Sequence, residues 1–154
     1  AVEGRRAEYS VEMADAPGYR VLLRFVLAVA IGSVVFFGVL RIDIWVLKTI
    51  WADYAAAAPD RAYSLPMLLV RLVVFGSAIA LASIAATRIS AIPRMPWIVG
   101  IVIFLASILD HFYPGWVWIY YPAWYHYAYL ASIVPIAAIA GQTLGHAPRE
   151  GDVP

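Results

Sequence analysis

Two charged side chains stand where charge is costly. Arg71 interrupts the apolar run LPMLLVRLVVFG, and Asp110 interrupts IFLASILDHF. An ionisable group in the middle of a bilayer costs at least about 2.5–3.5 kcal/mol on insertion scales, so each asks for a partner or a purpose. Arg71 lies six residues into its run from residue 65, about 9 Å deep at 1.5 Å per residue. Asp110 lies thirteen residues along the next run from residue 97, about 20 Å up a hydrocarbon core of about 30 Å. If neighbouring helices cross in opposite senses, the two reach the same depth. The spacing therefore predicts an intramembrane ion pair between Arg71 and Asp110, either a functional pair or a pin that holds helix register.

Asp110 also opens DHFYPGWVWIYYPAWYHYAYL, residues 110–130, where ten aromatic rings and two histidines share twenty-one positions. Imidazoles near the ends of adjacent helices could ligate haem or a metal, or line a ligand pocket. His111 follows Asp110 directly and so points about 100° away from it. Neither His111 nor His126 belongs to a metal-binding pattern such as H-E-x-x-H, so no metal is expected. The simpler reading is an interfacial collar, since one end of each such ring is apolar and the other forms hydrogen bonds. A pocket, if present, would draw on His111, His126, Tyr113, Trp124 and Tyr125.

The elements that must position these groups follow from composition. Of 154 residues, 64% are hydrophobic and only 14% charged, well below the roughly 25% charged of a soluble domain. The expected fold is an all-α membrane protein, an antiparallel four-transmembrane-helix bundle with spans at about 21–40, 65–86, 97–112 and 123–145. Residues 1–20 form a polar cytosolic tail and 146–154 a second tail, flanking a transmembrane domain over 21–145. Pro17-Gly18 reads as a break before the first span, which lacks a cleavage pattern and is expected to be retained. The pattern beyond residue 40 continues toward Ala58, expected near the interface with Trp45 and Trp51 as anchors. Pro135 is expected to kink the fourth span, its freed carbonyl met by a neighbour or by Ser132.

Basic residues set orientation. Arg5, Arg6, Arg20, Arg24, Arg88, Arg94 and Arg149 fall on one side and Arg41, Lys48 and Arg61 on the other, which favours both termini inside. Small residues supply adhesion between helices in lipid. Ala28-x-x-x-Gly32, Gly76-x-x-x-Ala80, Ala128-x-x-x-Ser132 and Ala137-x-x-x-Gly141 offer such faces, for contacts within one chain or between chains.

With no cysteine, thiolate chemistry and Cys-based metal or iron–sulfur sites are excluded. No phosphate loop, nucleophile elbow or paired carboxylates within one span appear, and a net charge of +1 points away from nucleic acid. The stretches PAWYHYAYLASIVPIAAIAGQTLG at 122–145 and SLPMLLVRLVVFGSAIALASIAATRI at 64–89 resemble a family of small uncharacterised bacterial four-span inner-membrane proteins. That resemblance implies the bacterial cytoplasmic membrane and lends no activity or cofactor. The leading expectation is a non-enzymatic protein acting by lateral association, with itself or within a larger membrane complex. The second is a small transport or ligand-binding protein with an outer-leaflet pocket, and the third a haem- or quinone-binding subunit.

Overall fold

The structure, a computed structural model, describes residues 17–90, 92–112 and 117–145. The side chain of Asp110 lies outside that description, as do Tyr113 and His146. All regular structure among the described residues is helical: α1 Pro17–Ile50, α2 Ala52–Ala57, α3 Leu65–Ser90, α4 Met95–Phe112, α5 Val117–Tyr120 and α6 Ala123–Leu144. Three of these, α1, α3 and α6, are long and apolar enough to cross a membrane, and α4 is a shorter apolar helix.

Where the sequence suggested a break at Pro17-Gly18, α1 begins at Pro17. A proline in the first turn lacks only an N–H that has no helical partner anyway. From there α1 runs 34 residues without interruption, about 51 Å at 1.5 Å per residue. Its second half packs along α3 rather than parting from it. The expected continuation to Ala58 is broken at Trp51, whose extended backbone (φ −127°, ψ 96°) starts the separate helix α2. That single break turns the chain back so that Tyr54, fully buried, packs with Leu47 and Met67.

Contacts along α1 and α3 run in opposite chain order: Gly32 meets Ala82 and Ala86, Asp43 accepts a hydrogen bond from Ser77 at 3.1 Å, and Leu47 clusters with Met67. Between α3 and α6 the order is the same on both helices, with Phe75 on Tyr129, the Ser83 hydroxyl donating to the Ala137 carbonyl at 2.7 Å and Arg88 donating to the Leu144 carbonyl. Arg88 thereby places a cation on the carbonyls that end α6, where it is favoured. Along α4 and α6 the order reverses again, from Pro96 beside Gly141 to Ser107 beside Tyr129.

The interior is small and the exterior large. Ala28, Ala78, Ala82, Ala86 and Ala137 are fully buried, while Val34, Phe37, Val73, Leu109 and Ile139 are exposed. Water would penalise that distribution, whereas lipid tails are as apolar as the side chains and reward close backbone packing instead. The small-residue faces of α1, α3 and α6 are engaged in these contacts, with Gly100 of α4 adding another against Ala137 and Val134. Ala128 instead points outward. Pro135 sits inside a continuous α6, and the Ser132 hydroxyl donates to the Tyr129 carbonyl rather than to the one Pro135 frees.

Gly141 is a tight point between three helices. A Cβ there would lie 2.5 Å from Ser83 Oγ and 2.6 Å from Pro96 Cγ, whereas one on Gly38 would meet nothing within 4 Å. Gly141→Ala is expected to destabilise the fold by about 1–3 kcal/mol through overpacking. Gly38→Ala should be neutral or slightly stabilising. Thermal unfolding of both variants in mild detergent, followed by circular dichroism, checks the contrast.

Candidate functional site

Arg71 is the centre of the polar architecture. Nearly two turns into α3, it faces the end of the bundle where α2, the 58–64 connection, α5 and the start of α6 converge. Its Nη1 donates to the Tyr54 hydroxyl at 2.7 Å. The guanidinium carbon lies 4.8 Å from the Tyr63 ring centre, 5.6 Å from that of Tyr121 and 5.7 Å from that of Phe75. A guanidinium over an aromatic face gains about 0.5–1 kcal/mol at exposed sites and about 2 or more when desolvated, so three rings and a phenol offset much of the cost of burial.

The cage is not complete. Arg71 Nε and the Tyr125 hydroxyl are buried without a hydrogen-bond partner among the described residues. Tyr125 itself is only 3% exposed. No described carboxylate lies within ion-pair distance of Arg71, and the proposed partner Asp110, on α4, has its side chain outside the described residues.

Arg71 and Tyr125 both line a cavity of about 540 Å³. That volume lies inside the range of about 300–1,000 Å³ typical of small-molecule sites. Its polar end is formed by Arg61, Tyr63, Arg71, His111, Tyr121 and Tyr125. The other end is apolar, walled by Phe36, Phe37 and Leu40 of α1 and by Val102, Ile103 and Ala106 of α4. On α3 the distance from Arg71 to Ala82, which faces Gly32 near the foot of the α1 wall, is eleven residues or about 16 Å. The cavity lies between α1 and α4, which barely touch each other among the described residues.

The two histidines part company. His111 Nδ1 donates to the Ser107 carbonyl at 2.7 Å, because a carbonyl can only accept, and the residue lines the cavity. Its ring stacks on Tyr129, whose hydroxyl pairs with Ser107 Oγ at 2.9 Å. His126 lies behind it, fully buried, under the Trp118 ring at 4.2 Å and bonded through Nε2 to the Tyr121 carbonyl. It braces the turn that presents Tyr121 and does not line the cavity. Trp124 is 41% exposed and meets only the edge of Tyr125, so it too lies off the site. No group of three or more metal-ligating side chains occurs among the described residues.

Of the residues expected at a pocket, the structure thus brings His111 and Tyr125 together, with Arg71, expected as half of an ion pair, beside them. Tyr54, Tyr63, Tyr121, Tyr129 and Arg61 complete the surroundings. Tyr129 had a legible signal, one turn beyond Tyr125 on the same face of α6. Tyr54 and Tyr63 had none, because a fold-back through Trp51 and the 58–64 turn has no periodicity to read. In that turn Arg61 holds φ 56°, a left-handed conformation, and its guanidinium covers Tyr120 at 4.6 Å.

Comparison with models of protein families, with curated proteins and with solved structures finds no match to this chain. Its class rests on its own physics: an all-helical protein with three helices able to cross a membrane, consistent with a multi-pass membrane protein.

Removing the Tyr54 hydroxyl takes away the 2.7 Å hydrogen bond that the caged guanidinium donates. Tyr54→Phe is expected to cost about 1.5–3 kcal/mol, the range for bonds to charged groups, read as a lower unfolding midpoint in detergent. Burial pushes the Tyr63 phenol up to about 12, against the opposing pull of the Arg71 guanidinium. Because the folded value lies above the usual 10, this contribution to stability is whole at neutral pH and is lost as pH rises from 10 through about 12. In ultraviolet titration the late-ionising absorbance should fall by one phenol in Tyr63→Phe.

Proposed function

We propose that this protein is a ligand-binding membrane protein, a four-span antiparallel bundle with both termini inside, holding a small apolar or amphipathic molecule between α1 and α4. The observation that carries the reading is the cavity of about 540 Å³ with an arginine–tyrosine end and an apolar end. The alternating order of contacts between α1 and α3, between α3 and α6, and between α6 and α4 supports four crossings. At 18 residues α4 is about 27 Å long, close to the thickness of a hydrocarbon core. The charge asymmetry supports the orientation, and the resemblance of 64–89 and 122–145 to small bacterial inner-membrane proteins supports the cytoplasmic membrane as its place.

Lateral association has less support than the small-residue faces first suggested. Those of α1, α3 and α6 are engaged within the chain, and the outward Ala128 and its neighbour one turn on, Ser132, are what remain for a second subunit. A haem or quinone subunit draws no separate observation, although a quinone would fit the broader description of an amphipathic ligand.

Solvent extraction and mass spectrometry of protein purified in mild detergent should return a specific small molecule. Ala106→Trp, which fills the apolar part of the cavity, should lose that molecule while keeping wild-type helical content. Equal extraction from both proteins, or nothing from either, would count against the proposal.

A further inference from the structure

Resting on the reading of the cavity as a ligand site, we infer that its occupant is a single-tailed amphiphile with an anionic, oxygen-bearing head, which sits against Arg71 and Tyr125 while the tail lies between α1 and α4.

The head assignment follows from what the polar end still lacks. The described groups around Arg71 are phenols and rings, which stabilise the guanidinium without neutralising it. Arg71 and Tyr125 lie close enough to interact with each other, but neither Arg71 Nε–H nor the Tyr125 hydroxyl meets a well-aligned hydrogen-bond partner among the described residues, and both residues line the same cavity. In a water-poor site a donor left unmade costs about 1–3 kcal/mol, more when charged. An anionic oxygen group repairs both deficits at once, and a guanidinium fork binds carboxylate or phosphate oxygens through charge-assisted bonds.

The tail assignment follows from the other end. Phe36, Phe37, Leu40, Val102 and Ile103 offer apolar surface, the hydroxyl of Ser33 beside them is tied to the Val29 carbonyl, and along α4 the lining of the slot runs from Val102 to His111, about 13 Å. Because α1 and α4 barely touch, that slot opens sideways toward the lipid-facing surface, where Phe37 and Val102 are exposed. A cavity of about 540 Å³ suits one chain and is too small for a two-chain phospholipid. A ligand reaching it from within the bilayer would enter tail and head together, without passing through water.

The test is binding to the full chain in nanodiscs of phosphatidylcholine, with laurate, lauryl phosphate, lauryl alcohol and laurylamine competing against a fluorescent fatty acid. Laurate or lauryl phosphate should bind at least about tenfold more tightly than the alcohol, and the amine should not compete. Which of the two anions binds better identifies the head. Arg71→Gln should weaken the anion by about ten- to a hundredfold and leave the alcohol unchanged. Tyr125→Phe, which keeps the ring and so the packing, should weaken it several-fold if Arg71→Gln proves unfolded.

Equal binding of alcohol and anion would overturn the anionic head while leaving a ligand cavity in place. Absence of all binding, with nothing extracted from purified protein, would remove the cavity reading itself. Anion binding that appears only after Asp110→Asn would show that Asp110 already neutralises Arg71, and would overturn the inference.

Discussion

Gly141 is where α3, α4 and α6 come within van der Waals contact, and the depth of every polar group follows from that contact. Ser83 and Pro96 occupy the space a side chain at residue 141 would need, so the three helices are locked in axial register at one end of the bundle. Counting outward at 1.5 Å per residue, Arg71 stands about 18 Å above Ser83, His111 about 22 Å above Pro96 and Tyr125 about 24 Å above Gly141. The three fall within about 6 Å of one another along the axis because the lock sets a common origin. A slip of one residue on any helix would carry its polar group away from the others by 1.5 Å along the axis and about 100° around it.

Holding a guanidinium at that level requires compensation, and the chain supplies most of it from outside the long helices. Tyr54 belongs to α2, which exists because Trp51 interrupts α1, and Tyr63 and Tyr121 lie in connections. The rings also support one another: Tyr54 lies against Tyr63, Tyr63 stacks on Tyr121, and Tyr121 on Tyr125. Each phenol thus serves the arginine and its neighbour, so the cage is a continuous aromatic lining rather than a set of independent contacts. The aromatic stretch at 110–130 contributes two of its rings to that lining. His126 and Trp118 brace it from behind.

Much of this was legible in the sequence and some could not be. The long helices follow from runs of apolar residues, and Arg71 stood out because a charge in such a run is expensive. Depth is countable from a span end, which is why the level of Arg71 was accessible. Azimuth is not countable, because the direction a side chain takes around its helix axis matters only relative to neighbours whose placement packing decides. His111 reached the cavity and His126 did not for that reason, although both lie in the same aromatic stretch. The contributions of Tyr54 and Tyr63 come from a reversal of chain direction that leaves no period in the residues, and the break at Trp51 is marked by neither glycine nor proline.

The position of the cavity has the same origin as the fold's cohesion. Ala28 and Gly32 direct α1 onto α3, and Gly100 directs α4 onto α6. Neither face is turned toward the other helix, so α1 and α4 are each held firmly from one side and left apart on the other. Phe36, Phe37 and Leu40 on one wall and Val102 and Ile103 on the other are large and apolar, and they line the gap without closing it. In water such a gap would collapse, since exposed apolar surface costs about 25 cal/mol per Å². In a bilayer the surrounding chains are themselves apolar, so nothing drives α1 and α4 together beyond packing. The small residues that bring the other helix pairs close therefore also decide where the bundle stays open, and the opening lies beside Arg71, whose Nε–H meets no well-aligned acceptor among the described residues.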